Sequence, residues 1–437
     1  MNLMELAKKA LSFASGDQVE VVVHNNKHAL TRYANSYIHQ NVKEVDTTIS
    51  IRVIRDNRQG VASTNITDLD ALEATAKKAM QLCEFSPKNP NELRLPEKSE
   101  YAQQNPVDEQ TANCTPEQRA DAVATMVNYA NPLGLTLAGA YSIHTHEIGI
   151  VNSNGVEANN IGTNATLKVT AMTDDSSGAA DITTPRVSEI NALDVVKEAA
   201  SRAILSKNPS DVLEPGDYEV VFLHYAVAEM IGIMNWGGFS GKAASEGRSF
   251  AAVNMGKKIC SDKLTITDDP FDPRRSPMLS LFDVEGYPKQ KLNLIENGVP
   301  VAICYDGYTA RKEGKQNTGH YTGSWGPNPL HLTVMGGESS VDEMISHVKK
   351  GVLVSRFWYS NLIRPLQVEF TGMTRDGLFL IENGKITTGL KNMRVTDSIL
   401  RIFDGIEEVE NITRCHDGII APAMRCKAIK FSSKTMF

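Results

Sequence analysis

The sequence predicts an α+β fold of two domains, an N-terminal helix and antiparallel-sheet domain over residues 1–206 and a mostly β domain over residues 212–437. Three patterns carry that prediction. Runs of β-branched and aromatic residues are punctuated by pairs of Asn and Asp, and capped stretches of helical periodicity bracket them. After residue 212, glycine-containing turns separate many short apolar runs.

In the first domain, Leu3, Leu6, Ala7, Ala10 and Leu11 form one stripe of an amphipathic helix over residues 3–13. Four strands follow, at 19–23, 29–33, 47–54 and 60–64. Their turns fall at Asn25-Asn26, Asn35-Ser36 and Asp56-Asn57, because Asn and Asp accept left-handed backbone. Thr67-Asp68 caps a second helix over 69–83. Residues 86–114 are polar and rich in Pro and Asn, a surface crossing. Thr115-Pro116-Glu117-Gln118 starts a helix to about residue 129. Strands at 135–146, 148–152 and 163–173 and a helix at 192–205 complete the domain, and residues 207–211 form a linker.

In the second domain the apolar strand 218–223 runs directly into a helix from His224 to about Met234, which stops at Gly237-Gly238. Further strands are predicted at 300–303, 330–335, 367–371, 377–382 and 384–386, with one helix over 340–350 opened by a Ser cap and an acidic first turn.

The chain has 437 residues and 41% hydrophobic residues, ample for packed cores. Its 45 basic and 52 acidic residues give a net charge of −7, and no basic stripe with interleaved aromatics is present, so nucleic acid is not an expected partner. The start lacks the long apolar run of a secretory signal and no segment is a candidate membrane span, so the expected location is the cytoplasm. Six scattered cysteines without a CxxC pair read as free thiols.

The densest group with chemical potential is His224-Tyr225-Ala226-Val227-Ala228-Glu229, at the strand-to-helix junction. In an HExxH zincin helix, two histidines one turn apart bind zinc and the Glu is the base. Tyr stands here after the first His. Glu229 is five residues from His224, an interval that diverges by about 140° on an ideal helix, whereas Tyr225 and Glu229 share a face. His144 and His146 share a face of a predicted strand, a geometry open both to a metal and to a solvated surface. Cys415 and His416 are adjacent, so a strand points them to opposite faces. Residues 306–314 and 317–320 combine Gly with hydrogen-bonding side chains, as a peptide-binding loop would.

The order of several segments resembles the TldD/PmbA family of bacterial and archaeal proteins, once described as modulators of DNA gyrase and understood as a protease system acting on peptides. The resemblance runs over nearly the whole chain. It rests on Arg32-Tyr33, Asn152-Ser153-Asn154-Gly155, Pro215-Gly216-Asp217-Tyr218, Phe282-Asp283-Val284-Glu285-Gly286, Tyr308 through Lys312 with Thr318-Gly319-His320, and residues 377–386. In the TldD branch a helix carries HExxxH, whose histidines bind zinc together with a distant C-terminal cysteine. Matched residue by residue, the first His is His224, the catalytic Glu becomes Tyr225 and the second His becomes Glu229. The cysteine corresponds to Cys415, with Cys426 as the fallback.

The resemblance thus implies a zinc set of His224, Glu229 and Cys415, and a peptide-binding set of Tyr308, Arg311, Thr318 and His320. The unperturbed phenol pKa of about 10 rules out Tyr225 as a neutral-pH base for zinc-bound water. The chain is closer to the PmbA/TldE branch, which lacks the metal motif and pairs with TldD around a peptide channel. Three expectations follow from the resemblance. The first is a PmbA/TldE-like subunit acting on unfolded peptides as a dimer with a TldD-like paralogue or with itself. The second is an active zinc peptidase that recruits a base such as Glu246, and the third is a non-enzymatic regulatory protein.

Overall fold

The computed structural model describes residues 1–103, 107–275 and 280–435. The N-terminal half is built from α1 (Leu3–Ser12), β1 (Gln18–Ala34), β2 (Tyr37–Arg55), β3 (Arg58–Thr64), α2 (Leu69–Phe85), α3 (Glu109–Ala112), α4 (Pro116–Ala130), β4 (Thr136–Asn152), β5 (Glu157–Met172), β6 (Ser177–Thr184) and α5 (Ala192–Leu205). Its six strands form one antiparallel sheet in the order β3-β2-β1-β4-β5-β6. The expected turns at Asn35-Ser36 and Asp56-Asn57 are present, all four residues with positive φ. Asn25-Asn26 is not a turn. Both residues sit in mid-strand, opposite Thr47 and Asp46, so the two expected strands are one. The break expected after His146 is likewise absent.

Strand alternation sorts the sheet's two faces. Val19, Val21, Val23, Ile49, Ile51 and Val53 pack under α1 and α2, while Leu137, Tyr141, Ile143, Leu167 and Val169 pack under α4 and α5 on the same face. On the other face Val22, Ile148 and Ile150 meet Leu281 and Phe282 of the C-terminal half.

This sheet is an internal duplication. Adding 118 to Gln18–Ala34 gives Thr136–Asn152, which are β1 and β4. The same offset carries Gly60 of β3 to Gly178 of β6. A Cβ at Gly60 would lie 2.2 Å from the Ala79 carbonyl of α2, and one at Gly178 would lie 2.2 Å from the Ala199 carbonyl of α5. Each half is helix, three-stranded meander, helix, and a pseudo-twofold passes between β1 and β4 where Lys27 pairs with Thr145.

The C-terminal half contains β7 (Gly216–Phe222), α6 (His224–Met234), α7 (Gly241–Ser245), α8 (Phe250–Val253), β8 (Ile266–Asp268), β9 (Leu292–Glu296), β10 (Val299–Pro300), α9 (Gly307–Glu313), β11 (Leu332–Val334), α10 (Val341–His347), β12 (Lys350–Arg364), β13 (Glu369–Glu382), β14 (Lys385–Gly389), β15 (Met393–Ser398), α11 (Ile399–Asp404), β16 (Ile406–His416) and β17 (Ile419–Lys434). Its eleven strands form one sheet, and β17 also pairs with β7, which closes β7-β12-β13-β15-β17 on itself. The strands expected at 367–371 and 377–382 are parts of the single β13. Helix α6 is apolar nearly all round and buried accordingly, in contact with β12 and β17.

Polar contacts tie the halves together. Arg52 reaches Glu20 at 3.0 Å and Glu285 at 2.9 Å, all three buried or nearly so. Tyr101 donates to the Gly286 carbonyl at 2.8 Å. All six cysteines are unbridged. Among the described residues no helix is long and apolar enough to cross a membrane.

Candidate functional site

Strand β7 delivers His224 and Tyr225 into the first turn of α6, and the helix lacks a side-chain cap there. The hairpin β16–β17 approaches from the C-terminus. Its turn is Asp417-Gly418, both residues at positive φ (45° and 82°), the two-residue geometry that Asp-Gly favours. The hairpin fixes which residue faces α6. His416 is buried, edge-on to the Tyr225 ring with centroids 5.0 Å apart, and its Nδ1 lies 2.7 Å from Asp181 of β6. Cys415 points the other way, into a cavity of about 610 Å³ lined also by Arg274, Arg275, His331 and Lys168. Glu229 and His416 line a separate cavity of about 400 Å³ with Arg356, Trp236, Trp358 and Asp181.

Tyr225 is committed to the domain interface. Its hydroxyl donates to Glu198 of α5 at 3.1 Å and accepts from the Asp181 backbone N–H at 3.3 Å, and Arg202 sits 5.0 Å from the ring centroid. Arg202 also donates to the Ala179 carbonyl. Tyr225 and Arg202 therefore occupy the outer hydrogen-bonding edge of β6, where residues 179 and 181 would otherwise present unpaired groups. Ser177 to Asp376 (2.6 Å) and Lys168 to Asp417 (2.5 Å) extend the same interface.

Electrostatics follow from burial. The His224 imidazole is held well below its usual pKa by burial, then by Arg414, Arg202 and His416 around it. Burial lifts Glu229 to about 7, against the opposing pull of His416 and Arg356. Burial disfavours charge on His416 too, but Asp181, Asp417 and Glu229 outweigh it and its pKa is raised. Cys415 is raised by burial despite Arg275 nearby.

These contacts test the zinc set implied by the resemblance. The His224 ring lies against Tyr225 with centroids 3.8 Å apart. One Glu229 oxygen accepts from the Phe357 N–H at 2.9 Å. Cys415 lines a different cavity, and the fallback Cys426 is fully buried in the middle of β17. Among the described residues no three His, Cys, Asp or Glu side chains converge as a metal site. The donors present do not fit a zinc ion at this motif. Glu246, the alternative base, pairs with Arg248 and lines another cavity.

The implied peptide-binding residues divide into two pairs. Tyr308 and Arg311 lie on α9 and line a cavity of about 440 Å³, where Tyr308 bonds Asn89 and Asn91 and Arg311 bonds the carbonyls of Glu92 and Arg94. They anchor the crossing segment. His320 is fully buried between Thr318 (2.9 Å) and Asp268 (3.0 Å), and Thr318 bonds the backbone of Tyr305. Sequence reasoning placed His416 on the face opposite Cys415 but gave it no role, and it missed Asp181 and Glu198. The Asp417-Gly418 dipeptide was an unused signal, since it places a hairpin directly after His416.

A cleft of about 1070 Å³ carries Trp236, Trp325, Lys242 and Arg248. Trp236 is shared with the Glu229 cavity, and Lys168 and Asp417 are shared between that cavity and the Cys415 cavity.

Comparison with known proteins adds to this geometry. Residues 215–433 match the PmbA/TldA metallopeptidase C-terminal domain, residues 19–83 match domain 1 of that family, and residues 111–207 match its central domain. "Metalloprotease TldD homolog" of Buchnera aphidicola is 25% identical over 418 residues, covering 88% of this chain and 83% of that protein. "Metalloprotease PmbA" of Escherichia coli O157:H7 is 22% identical over 431 residues, covering 94% and 91%. The crystal structure of TldE from Thermococcus kodakarensis superposes with a TM-score of 0.87 at 19% identity, over 98% of this chain and 99% of that one, a likeness of fold.

Proposed function

The chain belongs to the PmbA/TldA metallopeptidase family, and from that premise we propose that it is a non-hydrolytic, PmbA/TldE-like subunit of a cytoplasmic metalloprotease that acts on unfolded peptides. Tyr225 carries this reading. At the position that the resemblance gives to the catalytic Glu stands a buried phenol whose oxygen already serves Glu198 and Asp181. It offers no carboxylate to take a proton from water. The adjoining cavities suit the role that remains. Trp236 and Trp325 offer flat apolar contacts and Lys242 and Arg248 offer charge in a cleft that shares Trp236 with the Glu229 cavity. A TldD-like paralogue supplies the catalytic machinery and completes the enzyme.

The test is to purify this chain alone, its TldD-like paralogue alone and the two together, and to assay hydrolysis of an unfolded peptide. This chain alone is expected to be inactive, and Tyr225→Glu is expected to stay inactive because no metal-ligand set surrounds it. Chelator-sensitive hydrolysis by the isolated wild-type chain, lost in His224→Ala, would overturn the proposal.

A further inference from the structure

The sheet face away from the four large helices carries a group of histidines that the α6 site does not use. His24 and His28 of β1 and His144 and His146 of β4 all have even numbers and share this face. The strand positions around them are uncharged or acidic. On β2 the residues opposite His24, Asn26 and His28 are Thr48, Asp46 and Glu44, and on β5 those opposite His146 and His144 are Gly162 and Asn164. No Lys or Arg occurs on this face of β1, β2, β4 and β5 between the row of Val22 and the row of Leu30.

The four rings form two unlike pairs. His28 and His144 stack, with centroids 4.1 Å apart and planes 12° apart, so that the rings meet face to face. His24 and His146 share a hydrogen bond, Nδ1 of the first 3.1 Å from Nε2 of the second, with ring planes 37° apart, a contact that a cation held by the same two nitrogens would replace. Two imidazoles on one tetrahedral zinc, at about 2.0–2.1 Å each, have nitrogens about 3.3 Å apart. The observed separation is within a few tenths of an ångström of that edge. Both rings are half-buried, which leaves room for water in the remaining coordination positions.

We propose that His24 and His146 together bind one divalent transition-metal cation of the zinc class, through Nδ1 of His24 and Nε2 of His146, with water completing the shell. The ion sits beside the pseudo-twofold, where the ladder of β1 and β4 joins the duplicated halves, and so it clamps them. The pairing suits a nitrogen-preferring cation over magnesium or calcium, which take oxygen ligands.

The full-length chain, stripped with chelator and dialysed, is titrated with zinc alone by calorimetry and by metal analysis of the filtered protein. One saturable equivalent is expected, together with a rise in the unfolding temperature; magnesium should produce neither. His146→Asn, which keeps a polar side chain in the strand, and His24→Ala should each abolish the equivalent, whereas His144→Ala and His224→Ala should retain it. Nickel provides a measurement independent of variant folding, because it should selectively broaden the ring NMR signals of His24 and His146 in the wild-type chain. Absence of zinc binding, an equivalent that survives His24→Ala with His146→Asn, or broadening centred on His224 would each overturn the proposal.

Discussion

Replacing Tyr225 with Phe removes one oxygen from a buried ring and tests whether the phenol is a structural clasp. Two hydrogen bonds are lost, one donated to the Glu198 carboxylate and one accepted from the Asp181 amide. Glu198 keeps its partner Arg202 and is partly exposed, so its loss is cushioned. The Asp181 N–H loses the acceptor that satisfies it at the outer edge of β6. An unsatisfied buried donor costs about 1–3 kcal/mol, and a middle value of about 2 kcal/mol corresponds, at 1.36 kcal/mol per decade, to about 30-fold. Amide hydrogen exchange resolved by residue is the assay. The Asp181 amide should exchange about 30-fold faster in Tyr225→Phe, while amides in the core of α1 and α2, in the other half of the sheet, should be unchanged. If Asp181 exchanges at the wild-type rate, the phenol does not hold the edge of β6 and the account of Tyr225 as a structural clasp fails.

Glu229 should impose a pH dependence on stability. Its folded pKa of about 7 exceeds the ordinary 4.5, so its favourable contribution is complete below pH 4.5 and is lost as pH rises through 7. Glu229→Gln should therefore gain on the wild type by about 3 kcal/mol between those limits, read by urea unfolding at several pH values; a pH-independent difference would contradict this. Arg52→Met strands the Glu20 and Glu285 carboxylates and should cost about 3–5 kcal/mol, with faster proteolysis between the halves as a second readout. Gly60→Ala and Gly178→Ala should each destabilise by about 1–3 kcal/mol, and by similar amounts, because each Cβ would strike helix backbone at 2.2 Å.

Local chemistry was legible in the sequence and long-range placement was not. The capping boxes at Thr115 and Ser340 and the turns at Asn35-Ser36 and Asp56-Asn57 stand where their side chains predict. Asn25-Asn26 misled because pairing on both sides satisfies the backbone of β1 and overrides the turn preference of Asn. Strand β6 escaped notice because Ser-Gly-Ala-Ala-Asp lacks the β-branched signature; its glycine serves the close approach of α5. At the motif, the sequence identified His224, Tyr225 and Glu229, but their surroundings come from Asp181, Glu198 and His416, at separations that no local spacing rule reaches. Thr318 and His320 illustrate the converse, polar residues held by the structural partners Tyr305 and Asp268, with His320 fully buried.

The 118-residue offset means that the N-terminal half resembles two subunits written as one chain. Each unit has its own apolar cluster, and the β1–β4 ladder between them has the form of an isologous interface. Fusion replaces a concentration-dependent encounter with a fixed local concentration, so neither unit must retain the affinity to find its mate. That freedom has been used unequally. The outer strand of the second unit has accepted Tyr225 and Arg202 from beyond its own meander, while in the first unit the crossing segment after α2 took on the contact with α9. Symmetry supplied two equivalent units, and specialisation has given each its own contact with the C-terminal half.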